Sequence, residues 1–362
     1  MKKHYFLLFT FLIFTLEISS FSLFKILNNK SLMFTQIDLM SEQDFIEYKK
    51  NTSSLGWPNE EKQQKLLEKN ADSCIDVFGD SFIYGIFDNL KEDEIWSSHL
   101  EKKLGCRIGN YGISGYGNDQ AYLFFDKINK TSKTFPKHIF FSITSINIQR
   151  NLNRFRGILR GHYHPASKPR FIFRNENIEL LEKENLTYEA YRRLYDSSET
   201  CPQYEEFCHI DSYLNMKVKF PYSFSVPYRL FQSIKLKAFL KGQSLHQYLY
   251  YNNSYNAVDI LSHIAHKFFE DTKKLKISST VVLIPTATDL KFIIKKNKSP
   301  FEALIKYFQK NNIAYIDFST ELLNDIKISN QRPDDYYYES GHFSHKAHQL
   351  FSEFLLKNIS KN

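Results

Sequence analysis

Three short apolar segments, residues 73–78, 106–111 and 138–143, each end in a polar or glycine-rich turn, and stretches with helical spacing separate them. Strands joined through helices pair in parallel, because a right-handed β-α-β crossover packs back onto its own sheet. The intervening stretches predict helices over 93–104 and 119–128. The alternation stops at Arg150 and resumes near Asn252. From there the pattern predicts a helix over 255–275, a strand over 280–284, a helix over 301–310, a strand over 314–318 and a last helix over 344–359. The segment 151–251 between them is rich in Tyr and Phe, holds prolines at 165, 169, 202, 221 and 227, and follows neither period. It reads as an insertion into a layered α/β domain, serving as a lid or substrate platform. A chain that is 42% hydrophobic and 16% aromatic has enough apolar surface to build such a core, which excludes a disordered chain.

The N-terminus carries a second constraint. Lys2 and Lys3 precede an apolar run over 5–24, interrupted mainly by Glu17. About 20 such residues suffice to cross a bilayer as a helix. No small-x-small cleavage signal follows, so a retained anchor is favoured over a cleaved signal peptide. Positive residues ahead of the run place the remainder outside the cytoplasm, periplasmic or extracellular. The expected organisation is a signal anchor or signal peptide over 1–24, a stalk over 25–71 with a docking turn at Leu55-Gly56-Trp57-Pro58, the first part of the domain over 72–150, the insertion over 151–251, and the second part over 252–362. Cys201 and Cys208 are close enough to close a small disulfide loop in an oxidising compartment. Cys74 and Cys106, each at the start of a strand, read instead as free, buried core thiols. The formal charge of +8 accompanies no Lys/Arg block and no zinc-finger or RNA-recognition signature, so nucleic acid is not an expected partner. His162-Tyr163-His164 lacks a third ligand nearby, and neither a metal nor another cofactor is expected. Oligomeric state is not readable.

Chemistry in a parallel sheet collects at the carboxyl ends of the strands, and four features fall there. Phe78-Gly79-Asp80-Ser81-Phe82 follows the first strand and exposes a hydroxyl that needs an adjacent base to act as a nucleophile. The run Gly109 to Ala121 follows the second, and its glycines allow a backbone N–H to approach a substrate closely. Asn147 lies just past the third strand and offers a side-chain amide donor. Glu339-Ser340-Gly341-His342 precedes the last helix, with a carboxylate placed to orient an imidazole. His345 and His348 compete for the role of base but fall inside the helix, where they cap or pack.

In this order the four features resemble the blocks of the SGNH (GDSL-like) hydrolase superfamily, over roughly 72–151 and 252–360. The resemblance implies a three-layer αβα, flavodoxin-like fold with a central parallel sheet and a large insertion after the third strand. It implies Ser81 as nucleophile, His342 as base and Glu339 as the third member, with Asp334, Asp335 or a backbone carbonyl as the alternatives for that place. Oxyanion donors would be the N–H groups of Ser81 and Gly115 and the Asn147 amide. Glu339 stands where the family has Asp, and Ser145-Ile146-Asn147-Ile148 replaces the usual Gly-x-Asn-Asp. Tyr116 to Ala121 and Lys168-Pro169-Arg170-Phe171 look similar to a membrane-anchored, envelope-facing branch associated with polysaccharide modification. The expected activity is that of a serine esterase or O-acyltransferase on ester-linked acyl groups, with acylated carbohydrate or another ester as substrate. A lipid esterase or thioesterase, and a non-catalytic scaffold of the same fold, are the alternatives.

Overall fold

The computed structural model describes residues 2–29, 40–131, 134–155, 167–196, 218–232 and 234–359. The chain divides into two units.

The larger unit comprises Asn51–Leu152, Lys168–Lys183 and His246–Asn362. Its sheet contains β1 (Ile75–Gly79), β2 (Ile108–Gly112), β3 (His138–Thr144), β6 (Ser278–Ile284) and β7 (Tyr315–Asp317). All pairings are parallel, in the order β2-β1-β3-β6-β7. Counted within the sheet this is 2-1-3-4-5, the flavodoxin-like doubly wound order, in agreement with the expected fold class. β1 and β3 are buried at every position, as strands covered on both faces must be. Side chains still alternate. Ile75, Val77 and Phe140 belong to a cluster with Trp96 and Leu100 of α5 (Trp96–Leu104) and Phe351 and Leu355 of α16 (His345–Ile359). Phe78 instead meets Phe124 and Phe125 of α6 (Asn118–Thr131), and Phe141 stacks on Phe268 of α12 (Ala257–Lys274). These two faces form the outer layers.

The predicted strands and helices recur with ends displaced by a few residues. The elements not anticipated include the helices α13 (Ala287–Lys296) and α15 (Phe318–Ser329) and an antiparallel hairpin of β4 (Arg170–Arg174) and β5 (Asn177–Leu181). The expectation for Cys74 and Cys106 is corrected. They form a disulfide with Cα atoms 6.1 Å apart. The residues after them, Ile75 and the nearby Ile108, pair in the β1–β2 register, so the two cysteines enter neighbouring strands side by side. Cys201, Cys208, His162 and His164 lie outside the described residues.

The smaller unit comprises Met1–Lys50, Asn153–Ser167 and Glu184–Leu245. It contains α1 (Lys2–Asn29), α2 (Glu42–Lys50), α8 (Tyr188–Asp196), α9 (Tyr222–Gln232) and α10 (Ile234–Leu240). Phe45 packs on Tyr188 and Tyr191, whose hydroxyls bond the Met40 backbone. Within α1, His4–Leu27 is long and apolar enough to cross a membrane, a property that spans and export signals share.

Candidate active site

Ser81 sits where β1 turns into the single-turn helix α4 (Ser81–Tyr84). Asp80 caps that turn, its Oδ1 accepting the Phe82 N–H at 3.0 Å. Gly79 keeps the turn close to β3, since a Cβ there would lie 2.0 Å from Ser142 Oγ. Ser81 is only 3% exposed, and among the described residues neither its hydroxyl nor its N–H has a hydrogen-bond partner.

The loop after β2 is tied to the same strand end by Ile113 N–H donating to Gly79 O at 3.2 Å. A tight turn from Ile113 to Tyr116 then places Gly115 at φ 84°, a left-handed conformation costly for other residues. The Gly115 N–H is also without a partner among the described residues. Trp57 Nε1 donates to Ser114 O at 2.9 Å and Gln120 Nε2 to Leu55 O at 2.7 Å, so the predicted docking turn docks on this loop.

Asn147 opens the short helix α7 (Asn147–Asn151) beyond β3 and is 1% exposed. Its Oδ1 accepts a bond from Arg150 Nη1 at 2.8 Å, which leaves the amide NH2 as the outward donor, with no partner among the described residues. The same nitrogen donates to Asp80 Oδ2 and to Tyr116 O, both at 2.9 Å. One buried guanidinium thus fastens the residue before Ser81, the residue after Gly115, and Asn147 itself. Three strands that neighbour one another in the sheet thereby present three unsatisfied donors at one rim. Sequence reasoning missed Arg150. Its spacing of three from Asn147 on one helical turn is the signal that was available.

His342 lies on a turn closed by Gly341 N–H to Tyr338 O at 2.8 Å and Tyr338 N–H to His342 O at 2.8 Å. The adjacent Phe343 packs edge-to-face on Phe82 at 4.9 Å, and Phe82 lies 5.6 Å from the imidazole. The residues flanking Ser81 and His342 are therefore in contact, although no hydrogen bond joins the two side chains. The imidazole stacks on Phe87 with 3.7 Å between centroids. Its Nδ1 is 3.0 Å from Ser340 Oγ, and Ser340 Oγ donates to Asp88 Oδ2. A hydroxyl has one proton. With the Ser340 proton donated to Asp88, the matching tautomer of His342 carries a proton on Nδ1. Glu339 is exposed and makes no hydrogen bond among the described residues. Asp88 lies 252 residues from Ser340, so no local spacing announces it.

The competing histidines are placed otherwise. His348 is buried, accepts the Trp96 N–H on Nδ1 at 3.3 Å, and is pushed down to about 3 mainly by burial. His345 packs edge-on against His99. Beneath the rim, Asp289 accepts bonds from Ser145, Thr286, His246 and Gln247. Burial alone would raise its carboxyl, but His246 and these donors hold it well below the usual carboxylate range. Lys168 and Arg170 are buried, Lys168 paired with Asp119 and Arg170 donating to Leu152 O. No group of metal-ligating side chains occurs among the described residues.

No protein-family model and no curated protein matches the chain. Twelve solved chains resemble it, two of them as follows. One is a putative lipolytic protein of the G-D-S-L family from Desulfitobacterium hafniense, with 12% identity and a TM-score of 0.36, covering 78% of this chain and 96% of that one. The other is a member of the lipolytic protein G-D-S-L family from Veillonella parvula, with 12% identity and a TM-score of 0.38, covering 80% and 98%. At that identity and overlap the likeness bears on neither activity nor substrate.

Proposed function

We propose that the chain is a serine esterase or O-acyltransferase in which Ser81 is the nucleophile and His342 the base. One observation carries the reading: Ser81 N–H, Gly115 N–H and the Asn147 amide are unsatisfied donors on three adjacent strand ends beside a nearly buried hydroxyl. Donors left open at a water-reached rim are available to a developing oxyanion. His342 Nε2 removes the Ser81 proton as Oγ attacks an ester carbonyl. The resulting oxyanion takes up the three donors, and losing one such donor typically costs about 10²–10³ in turnover. Collapse breaks the ester C–O bond, and the leaving alkoxide receives the proton from His342. Water attack on acyl-Ser81 then regenerates the enzyme as an esterase, whereas a sugar hydroxyl gives an acyltransferase. The Ser81–His342 hydrogen bond forms as substrate closes the site, as such bonds commonly tighten only in the complex. Asp88, acting through Ser340, is the acid that orients the imidazole, in preference to Glu339.

The substrate class we propose is ester-linked acyl groups of envelope or exported polysaccharide, met outside the cytoplasm by a domain that α1 anchors to the membrane. Acetate release from an acetylated polysaccharide and from a chromogenic acetate ester tests this. Wild type is expected to release acetate and Ser81→Ala and His342→Ala to lose it; equal release by Ser81→Ala rejects the proposal. Transfer of the acetyl group to an added glycan acceptor separates the two activities.

A further inference from the structure

The apolar stretch of α1 holds a single acidic side chain, Glu17, and it is bonded to another helix. Glu17 Oε2 accepts the Tyr222 N–H at 2.8 Å, and Oε1 accepts the Ser223 N–H at 3.1 Å together with the Ser223 hydroxyl. These are the first N–H groups of α9. The next two, of Phe224 and Ser225, donate to Pro221 O at 3.3 and 3.1 Å. A helix start normally leaves donors to water; here Pro221 has no N–H and the N–H groups of Tyr222, Ser223 and Phe224 all have protein acceptors, which is what an apolar surrounding demands. α9 then packs along α1, with Phe24, Leu27, Val218 and Val226 forming a closed apolar cluster and Tyr222 lying against the Phe21 and Phe24 rings.

Glu17 to Leu27 spans about 15 Å of helix, all of it within the apolar stretch. Whatever surrounds that half of α1 therefore also surrounds α9. The far side of α9 is suited to lipid. Phe224 and Tyr228 stack on each other and are 71% and 49% exposed, and Phe220 just ahead is 76% exposed. The end of α10 adds exposed Phe239 and Leu240. Residues 218–245 also contain Lys219, Arg229, Lys235, Lys237 and Lys241 and no Asp or Glu. Aromatic side chains beside cations are the composition of an interfacial element on an anionic bilayer.

We propose that α9 and the end of α10 are a second membrane contact. They lie in the leaflet around the C-terminal half of α1, with the exposed rings of Phe220, Phe224 and Tyr228 against acyl chains and their cations toward anionic headgroups. The inference rests on α1 crossing the membrane. It is tested on the full chain in nanodiscs of mixed phosphatidylcholine and phosphatidylglycerol, with the photo-cross-linker p-benzoylphenylalanine in place of Phe224 or, separately, of Phe9. Illumination followed by mass spectrometry is expected to give a mass increase of one phospholipid from both positions. A lipid adduct from position 9 with none from position 224, or with position 224 joined to a second copy of the chain, overturns the proposal. Absence of a lipid adduct at position 9 removes the span itself, and the second contact falls with it.

Discussion

Replacing Arg150 with Met tests whether one guanidinium holds the proposed oxyanion donors in place. Arg150 and Asp80 form a buried pair whose side chains are 8% and 1% exposed. Removing one partner of such a pair costs about 3–5 kcal/mol, because it strands the other charge. Asp80 keeps the Phe82 N–H and the Thr144 hydroxyl as donors, which places the loss near the lower end of that range, about 3 kcal/mol. For a unit of this size that corresponds to a fall in Tm of about 6–12 °C. The catalytic effect is separate. Without Arg150 the Asn147 carbonyl loses its partner, its amide is no longer held in one orientation, and kcat for ester hydrolysis is expected to fall about 10²-fold below the folding transition. Adding Asp80→Asn should recover part of the Tm and none of the kcat. Calorimetry and initial rates on the single and double variants provide the readout. An Arg150→Met protein that melts within a degree of wild type and turns over normally would refute the reasoning.

Other expectations concern separate parts of the molecule. Burial pushes the Asp76 carboxyl up to about 7, against a stabilising bond from Ser73. The folded chain thus holds a proton that the unfolded chain releases near pH 4, so stability falls as pH rises from about 4 to 7, by up to roughly 4 kcal/mol. Asp76→Asn should raise Tm at pH 8 and leave it nearly unchanged at pH 4; equal shifts at both would contradict this. The Cys74–Cys106 disulfide closes a loop with a sequence separation of 32. Replacing both cysteines with Ser should lower stability to denaturant by about 3–4 kcal/mol on the chain-entropy account. Ser340→Ala and Asp88→Asn should each lower kcat, whereas Glu339→Gln should not; the reverse pattern would return the orienting role to Glu339.

Much of the fold could be read in advance because each sheet strand is a short apolar run with its own terminating turn. Gly79, Gly112 and the polar residues after Thr144 mark strand ends irrespective of the tertiary context. What depends on neighbours in space was not readable. The Cys74–Cys106 bond follows from β1 and β2 lying side by side, and strand order is a property of the sheet, not of either strand. The hairpin of β4 and β5 turns through Asn175 and Glu176, both at positive φ, without the Asn-Gly signature that would have announced it. α13 did carry a local mark, the capping box in which Thr286 and Asp289 bond reciprocally. At the rim, Ser81, Gly115, Asn147 and His342 could be nominated from their places after strands. Asp88 could not be, since its tie to His342 runs through a serine hydroxyl across the fold.

The most direct measurement is labelling of the folded full-length protein with a serine-directed fluorophosphonate, followed by mapping of the modified peptide. Covalent label on Ser81 that disappears in Ser81→Ala and slows in His342→Ala is the predicted result. A well-folded wild type that takes up no label, or takes it on a different serine, contradicts the assignment of this rim as a catalytic site.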